Sequence, residues 1–261
     1  MGKITDALKK ATEERLERID KISRIQEQDR FVIKKVGDSK VDPRIVAYFD
    51  PKAHITEQYK ILRTNVLSIN KNNPPKVIVI TSSIHSEGKT ITTLNLVMTM
   101  AQSTQKPRVL LIDADLRRGR VSKYLGIKQK DGLAEILQGR TQISEALFNI
   151  DIENLTFMAS GSVPENPAEL LASENMKQFL SRVRTKFDHV IIDSPPVISI
   201  TDAGILGAQA DGVIMIIQAG RTQRGIVKRA TELLHQAHAK LLGHVLTNIE
   251  YHLPEYLYRY L

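Results

Sequence analysis

The sequence contains no cysteine and no tryptophan. The first absence excludes disulfide scaffolds, thiolate metal sites and cysteine nucleophiles. No stretch approaches the roughly 18 consecutive apolar residues of a membrane-spanning helix. The longest apolar runs, Val77–Ile80, Val109–Ile112 and Val213–Ile217, have the length of strands. Met1–Lys10 is too polar for a secretory signal, and Asp6 stands where a myristoylation pattern wants Ser or Thr, so the chain is expected to be cytoplasmic. Aromatic residues are only 5%, and no basic–aromatic cluster accompanies the net charge of +8, so nucleic acid is not an expected partner. What is present, 261 residues with 42% hydrophobic and 25% charged, is ordinary composition for one large α/β domain.

Charge and apolar spacing divide the chain. Residues 1–35 mix dense charge with Ile4, Leu8, Leu16, Ile19, Ile22 and Ile25 at roughly helical spacing, which predicts a charged amphipathic helix, either a surface element or a docking element. Residues 36–54, with Gly37, Pro43 and Pro51, read as a linker or surface strap. From 55 to 250 apolar strands alternate with helices. The expected strands are Val77–Thr81, Val109–Ile112, Leu155–Met158, His189–Ile192, Val213–Gln218 and His244–Leu246. The expected helices are Glu57–Ile69, Gly88–Gln102, Leu133–Leu137, Ser144–Phe148, Ala168–Lys186, Thr201–Gln209 and Gly225–Ala239. Continuously apolar strands of this kind predict a doubly wound, mostly parallel sheet with helices on both faces.

Directly after the first strand, Ser83-Ile84-His85-Ser86-Glu87-Gly88-Lys89-Thr90 matches the phosphate-loop pattern Gly-x4-Gly-Lys-[Ser/Thr], with Ser83 in place of the first glycine. Backbone N–H groups at the following helix start face phosphate oxygens, Lys89 reaches the β/γ-phosphates, and the Thr90 hydroxyl is suited to Mg²⁺. Two further strands end in carboxylates, Val109–Asp113 followed by Asp115, and His189–Asp193. A carboxylate at a buried strand end needs a partner or a metal, and ligands sit at the carboxyl ends of strands in open α/β sheets. If these strands neighbour one another, Asp113, Asp115 and Asp193 converge on the loop, forming a nucleoside-triphosphate site. Four of the seven tyrosines, Tyr251, Tyr256, Tyr258 and Tyr260, fall in the last 11 residues, where even spacing would put fewer than one. Beside a triphosphate site, they read as phosphate acceptors.

Over roughly residues 50–261 these segments resemble the bacterial tyrosine kinases of the exopolysaccharide and capsule type, relatives of the MinD/ParA P-loop ATPases. That family's loop reads Ser-x-x-Pro-Gly-Glu-Gly-Lys-[Ser/Thr], against Ser82–Thr90 here. Asp113-Ala114-Asp115-Leu116-Arg117 and Ile191–Pro196 match its second and third motifs, and a tyrosine-rich tail is characteristic of it. The resemblance implies a MinD/ParA-like P-loop NTPase fold that binds ATP and Mg²⁺. It implies that Ser83 through Thr90 enclose the phosphates and Asn248 contacts adenine. Lys89, Asp113 and Asp115 would be catalytic, and Thr90, Asp115 and Asp193 would hold the metal. Asp113 is the candidate to orient or deprotonate the phenol, although spacing leaves Asp113 and Asp115 interchangeable. Glu57, Lys60 and Arg63 resemble a helix that lies at the subunit interface of a ring in relatives.

The same resemblance implies a membrane adaptor of the polysaccharide co-polymerase type, a location at the inner face of the plasma membrane through that partner, and an opposing tyrosine phosphatase. One departure has a physical cost: His85-Ser86 replaces Pro-Gly, and a left-handed conformation at position 86 would cost a serine about 1–2 kcal/mol. The alternatives are a MinD/ParA-like positioning ATPase, against which the lack of a lysine at positions 83–86 argues, and a nucleotide-binding regulatory scaffold with weak catalysis.

Overall fold

In the computed structural model, which describes residues 40–70, 74–128, 131–149 and 152–249, alternate residues of each central strand enter opposite cores. Val77 and Val79 of β1 (Val77–Ser82) face one core, and Ile78 and Ile80 the other. The same alternation runs through β2 (Val109–Asp113), β5 (His189–Asp193) and β6 (Gly212–Gln218). Apolar side chains on both faces require covering layers on both, which is why these strands read as continuous apolar runs.

With β3 (Phe148–Asn149), β4 (Leu155–Met158) and β7 (Leu241–Thr247), the seven strands take the order β3-β4-β2-β5-β1-β6-β7. All pair in parallel except β3 on β4. The architecture is the doubly wound, mostly parallel sheet expected. Its decisive detail is that β5 inserts between β1 and β2, with Asp113 opposite Asp193. The carboxylates at two strand ends are thereby brought side by side, one strand away from the phosphate loop.

One face is covered by α3 (Lys89–Ala101), α2 (His54–Ser68), α1 (Val46–Phe49) and α4 (Val121–Leu125). From Thr90 to Ala101, α3 carries no charge and is buried except at Ile91, as befits a helix enclosed on all sides. The other face is covered by α5 (Leu133–Leu137), α6 (Ile143–Ala146), α7 (Pro167–Ala172), α8 (Glu174–Lys186), α9 (Asp202–Gln209) and α10 (Arg224–Gln236). The single helix expected over Ala168–Lys186 is two, α7 and α8. Ser173 separates them: its Oγ donates to Leu170 O (2.7 Å) and accepts from Met176 N, capping α8. The expected helix Ser144–Phe148 stops at Ala146, and Phe148–Asn149 instead pairs with β4.

The described part of the stretch read as a linker or surface strap packs against α3 and α4. Asn95 of α3 is fully buried; its Oδ1 accepts from Ala47 N (2.9 Å) and its Nδ2 donates to Arg44 O (3.0 Å). Asp42 N donates to Tyr124 O (2.8 Å), and the Arg44 guanidinium stands 5.2 Å from the Tyr124 ring centroid. The strap therefore lashes α4 to α3. Among the described residues no helix is long and apolar enough to cross a membrane. The expected helix in 1–35 and the tyrosine tail 251–261 lie outside the described residues.

Candidate active site

The loop from Ser83 to Gly88 leaves β1 and enters α3 through Gly88, whose φ of +89° is open to glycine and strained for other residues. No side chain caps α3, and its first turn holds no acidic residue, so its leading N–H groups and dipole are left for an anion. Glu87, expected among the nucleotide-binding residues, turns its buried carboxylate inward. Oε2 accepts from Ile84 N (2.7 Å), and Oε1 accepts from Gln218 N (3.3 Å) and the Thr222 hydroxyl. This carboxylate ties the loop to the end of β6 and engages the Ile84 amide. From the opposite side, the Thr247 hydroxyl donates to Glu87 O (2.8 Å), which brings Asn248 to the rim of the loop. Arg221 donates to Ser86 O (3.1 Å). Ser83 is buried against Met215, while His85 is exposed.

Ser86 has φ +65°, so the left-handed strain anticipated for this position is present. Ser86→Gly removes that strain and loses part of the gain to backbone entropy. The variant is expected to be roughly 0.5–1 kcal/mol more stable, raising the melting temperature by roughly 1–4 °C, and to bind ATP more tightly. Thermal denaturation and an ATP titration check both.

Beneath the loop, Asp193 is buried to 2% exposure and gathers hydroxyl and ammonium donors. The Thr90 hydroxyl donates to Oδ2 (2.8 Å), Thr93 Oγ1 to Oδ1 (3.1 Å), and Lys89 Nζ lies 3.5 Å from Oδ2. Thr93 was not singled out in the sequence, although its place one helical turn after Lys89 and Thr90 was a usable signal. Asp113, at 1% exposure, is held by backbone donors: Asp115 N to Oδ1 (3.2 Å) and Val121 N to Oδ2 (3.0 Å). Asp115 Oδ1 accepts from Arg118 N (3.0 Å). Burial, and then the neighbouring Asp193 charge, push the Asp113 carboxyl up to about 7, while burial pushes that of Asp193 upward too. Asp113 thus lies roughly three units below a phenol near 10, where an ordinary carboxyl lies about six below.

Gly119 sits where no side chain fits: a Cβ there would come within 2.0 Å of Ser160 Oγ and 3.1 Å of Asp113 Oδ2. Arg117 anchors the same loop to α9 through fully buried Asp202, with Nε to Oδ2 at 3.0 Å.

Lys89, Thr90, Asp113, Asp115 and Asp193 are therefore brought together, with Asn248 at the margin. Glu57, Lys60 and Arg63 are elsewhere, on α2. Lys60 pairs with Glu57 (2.7 Å) and donates to Pro51 O, while Arg63 donates to Thr99 O near the end of α3. Among the described residues no three imidazole, thiolate or carboxylate groups close around an ion. The Thr90 hydroxyl and two nearby carboxylates are hard oxygen donors offering part of a coordination sphere. This suits Mg²⁺, which keeps waters and takes phosphate oxygens.

Comparison with known proteins decides among phosphate-loop enzymes of this fold. The AAA domain family model matches residues 75–242. A tyrosine-protein kinase of Bacillus subtilis, YwqD, is 35% identical over 216 residues, 83% of this chain and 90% of that protein. The chain belongs to the bacterial tyrosine-protein kinases. The kinase also resembles the solved kinase domain of Escherichia coli tyrosine kinase ETK, with TM-score 0.77 and 26% identity over 87% of this chain and 90% of that one. At the level of fold alone, it shares its architecture with a plasmid partition protein of Borrelia burgdorferi, with TM-score 0.54 and 23% identity over 72% and 86% of the two chains. The kinase is a transferase built on an ATP-binding P-loop fold of the MinD/ParA type, and the positioning-ATPase alternative is set aside.

Proposed function

We propose that this kinase transfers the γ-phosphoryl group of ATP to the tail tyrosines Tyr251, Tyr256, Tyr258 and Tyr260 of neighbouring copies. Lys89 and the leading amides of α3 hold and neutralise the phosphates. The phenol oxygen attacks the γ-phosphorus, the bond to the β–γ bridging oxygen breaks, ADP leaves with its electron pair, and the phenol proton passes to Asp113. Thr90, with Asp115 and Asp193 directly or through water, holds Mg²⁺, which supplies charge neutralisation on the phosphates when bound. Asn248 borders the base. The observation carrying this reading is the adjacency of Lys89, Thr90 and Asp193 to an Asp113 whose carboxyl is raised towards phenol basicity.

The test mixes an active chain whose four tail tyrosines are phenylalanine with a Lys89→Met chain carrying the native tail. Phosphate is expected on the Lys89→Met tail by intact mass, and an unmodified tail overturns transfer between copies.

The wider setting follows the family resemblance: control of exopolysaccharide or capsule synthesis, a ring-like assembly using the Glu57/Lys60/Arg63 edge, a membrane adaptor at the inner face of the plasma membrane, and an opposing tyrosine phosphatase.

A further inference from the structure

The loop after β2 carries three arginines with different employment. Arg117 is anchored to buried Asp202. Arg118 and Arg120 are exposed, and neither has an ion-pair partner among the described residues. Their backbone is nonetheless pressed against the reacting centre. Arg118 N bonds Asp115, Val121 N bonds Asp113, and Gly119 between them has no room for a Cβ against Ser160. The backbone of Arg118 is thus bonded to one carboxylate and that of the residue after Arg120 to the other, while both arginine side chains are exposed.

We propose that Arg118 and Arg120 bind the phosphate of an already phosphorylated tyrosine while a second tyrosine two residues away occupies the reacting position. This rests on the tail being the acceptor. In extended chain, residues two apart lie roughly 7 Å from each other, a span that a long side chain anchored beside Asp115 covers. Tyr256, Tyr258 and Tyr260 have this spacing, and Tyr251 does not. Residues 251–261, when unmodified, offer these arginines one acidic side chain, Glu255. Each phosphate adds about −1.5 to −2 charges and terminal oxygens that a planar guanidinium pairs two at a time. The first phosphorylation of the cluster is then the slow one, and each product is a better ligand for the next transfer.

The test uses the full-length kinase and a synthetic peptide of residues 251–261, either unmodified or phosphorylated on Tyr258. Anisotropy without ATP is expected to show the phosphorylated peptide binding about tenfold or more tightly, with a steep salt dependence. In Arg118→Ala/Arg120→Ala that ratio falls towards one, and the double lysine variant restores part of it. With ATP, the same ratio appears in the KM for peptide. Equal binding of the two peptides by the native chain overturns the proposal, as does a ratio unchanged in the alanine variant. Arginine-dependent phosphopeptide binding with no transfer to either peptide refutes the tail as acceptor and leaves the phosphate site standing.

Discussion

Lys89→Met is expected to lower tyrosine phosphorylation by about 10²–10³-fold, the scale of losing one preorganised charge on a transferring phosphoryl group. The fold survives because the Lys89 side chain is only 14% exposed and its stem is apolar, so methionine occupies the same space. The substitution also takes the ammonium group from 3.5 Å beside buried Asp193, whose carboxyl is then held towards its ordinary range only by hydroxyl donors and rises further. Intact mass after incubation with ATP and Mg²⁺ should show the native chain gaining phosphate and the variant remaining near its unmodified mass. Far-ultraviolet circular dichroism should be unchanged between them. Transfer within a few-fold of the native rate would remove Lys89 from the chemistry.

Asp113→Asn is expected to lower kcat by about 10²–10⁴-fold, the usual scale for a positioned base, with little change in the KM for ATP. It also separates Asp113 from Asp115. The loss from Asp115→Asn should be partly recovered by raising Mg²⁺, and the loss from Asp113→Asn should not. Stability gives an independent readout in nucleotide-free protein. The Asp113 carboxyl titrates at about 7 when folded and at 3.8 in an unperturbed chain, so the unfolded state releases its proton first as pH rises. The stabilisation from protonated Asp113 is full below about pH 4 and is lost as pH rises through about 7. Native protein should therefore lose on the order of 2–4 kcal/mol relative to Asp113→Asn across that window. Denaturant titrations of both at pH 4, 6 and 8 measure the difference, and parallel curves would show that Asp113 is not held protonated.

Much of this site was legible because each component carries its own local signature. A glycine, a lysine and a threonine opening a helix mark the phosphate loop, and an apolar strand ending in aspartate marks each carboxylate. What single residues do not encode is pairing between distant strands. Nothing local to His189–Asp193 shows that it slips between β1 and β2, yet that insertion sets Asp193 opposite Asp113, where its charge adds to burial in pushing the Asp113 carboxyl up. Glu87 lies in the loop and is read as part of the nucleotide site; that its carboxylate also holds the Gln218 amide and the Thr222 hydroxyl, over 130 positions away, is not encoded locally. The five-residue α4 went unread, although α5, equally short, was read over Leu133–Leu137. Ser173 looked like a mid-helix residue, although a serine at that point ends one helix and begins another.

The strap over residues 40–47 bears on how the molecule assembles and comes apart. Its bonds to Asn95 and Gln102 join positions 48 to 55 apart in the chain, so each must close a long loop after α3 has found its place. Ile45 and Ala47 of the strap are fully buried in the core that α3 shares, so lifting it exposes apolar surface even where the seven-stranded sheet stays intact. When the strap lifts, α4 loses the Tyr124 carbonyl contact that fixes its far end, and the Val121 amide loses its fixed bearing on Asp113. Lifting the strap is therefore a route by which a change at the edge of the domain reaches the Asp113 carboxylate.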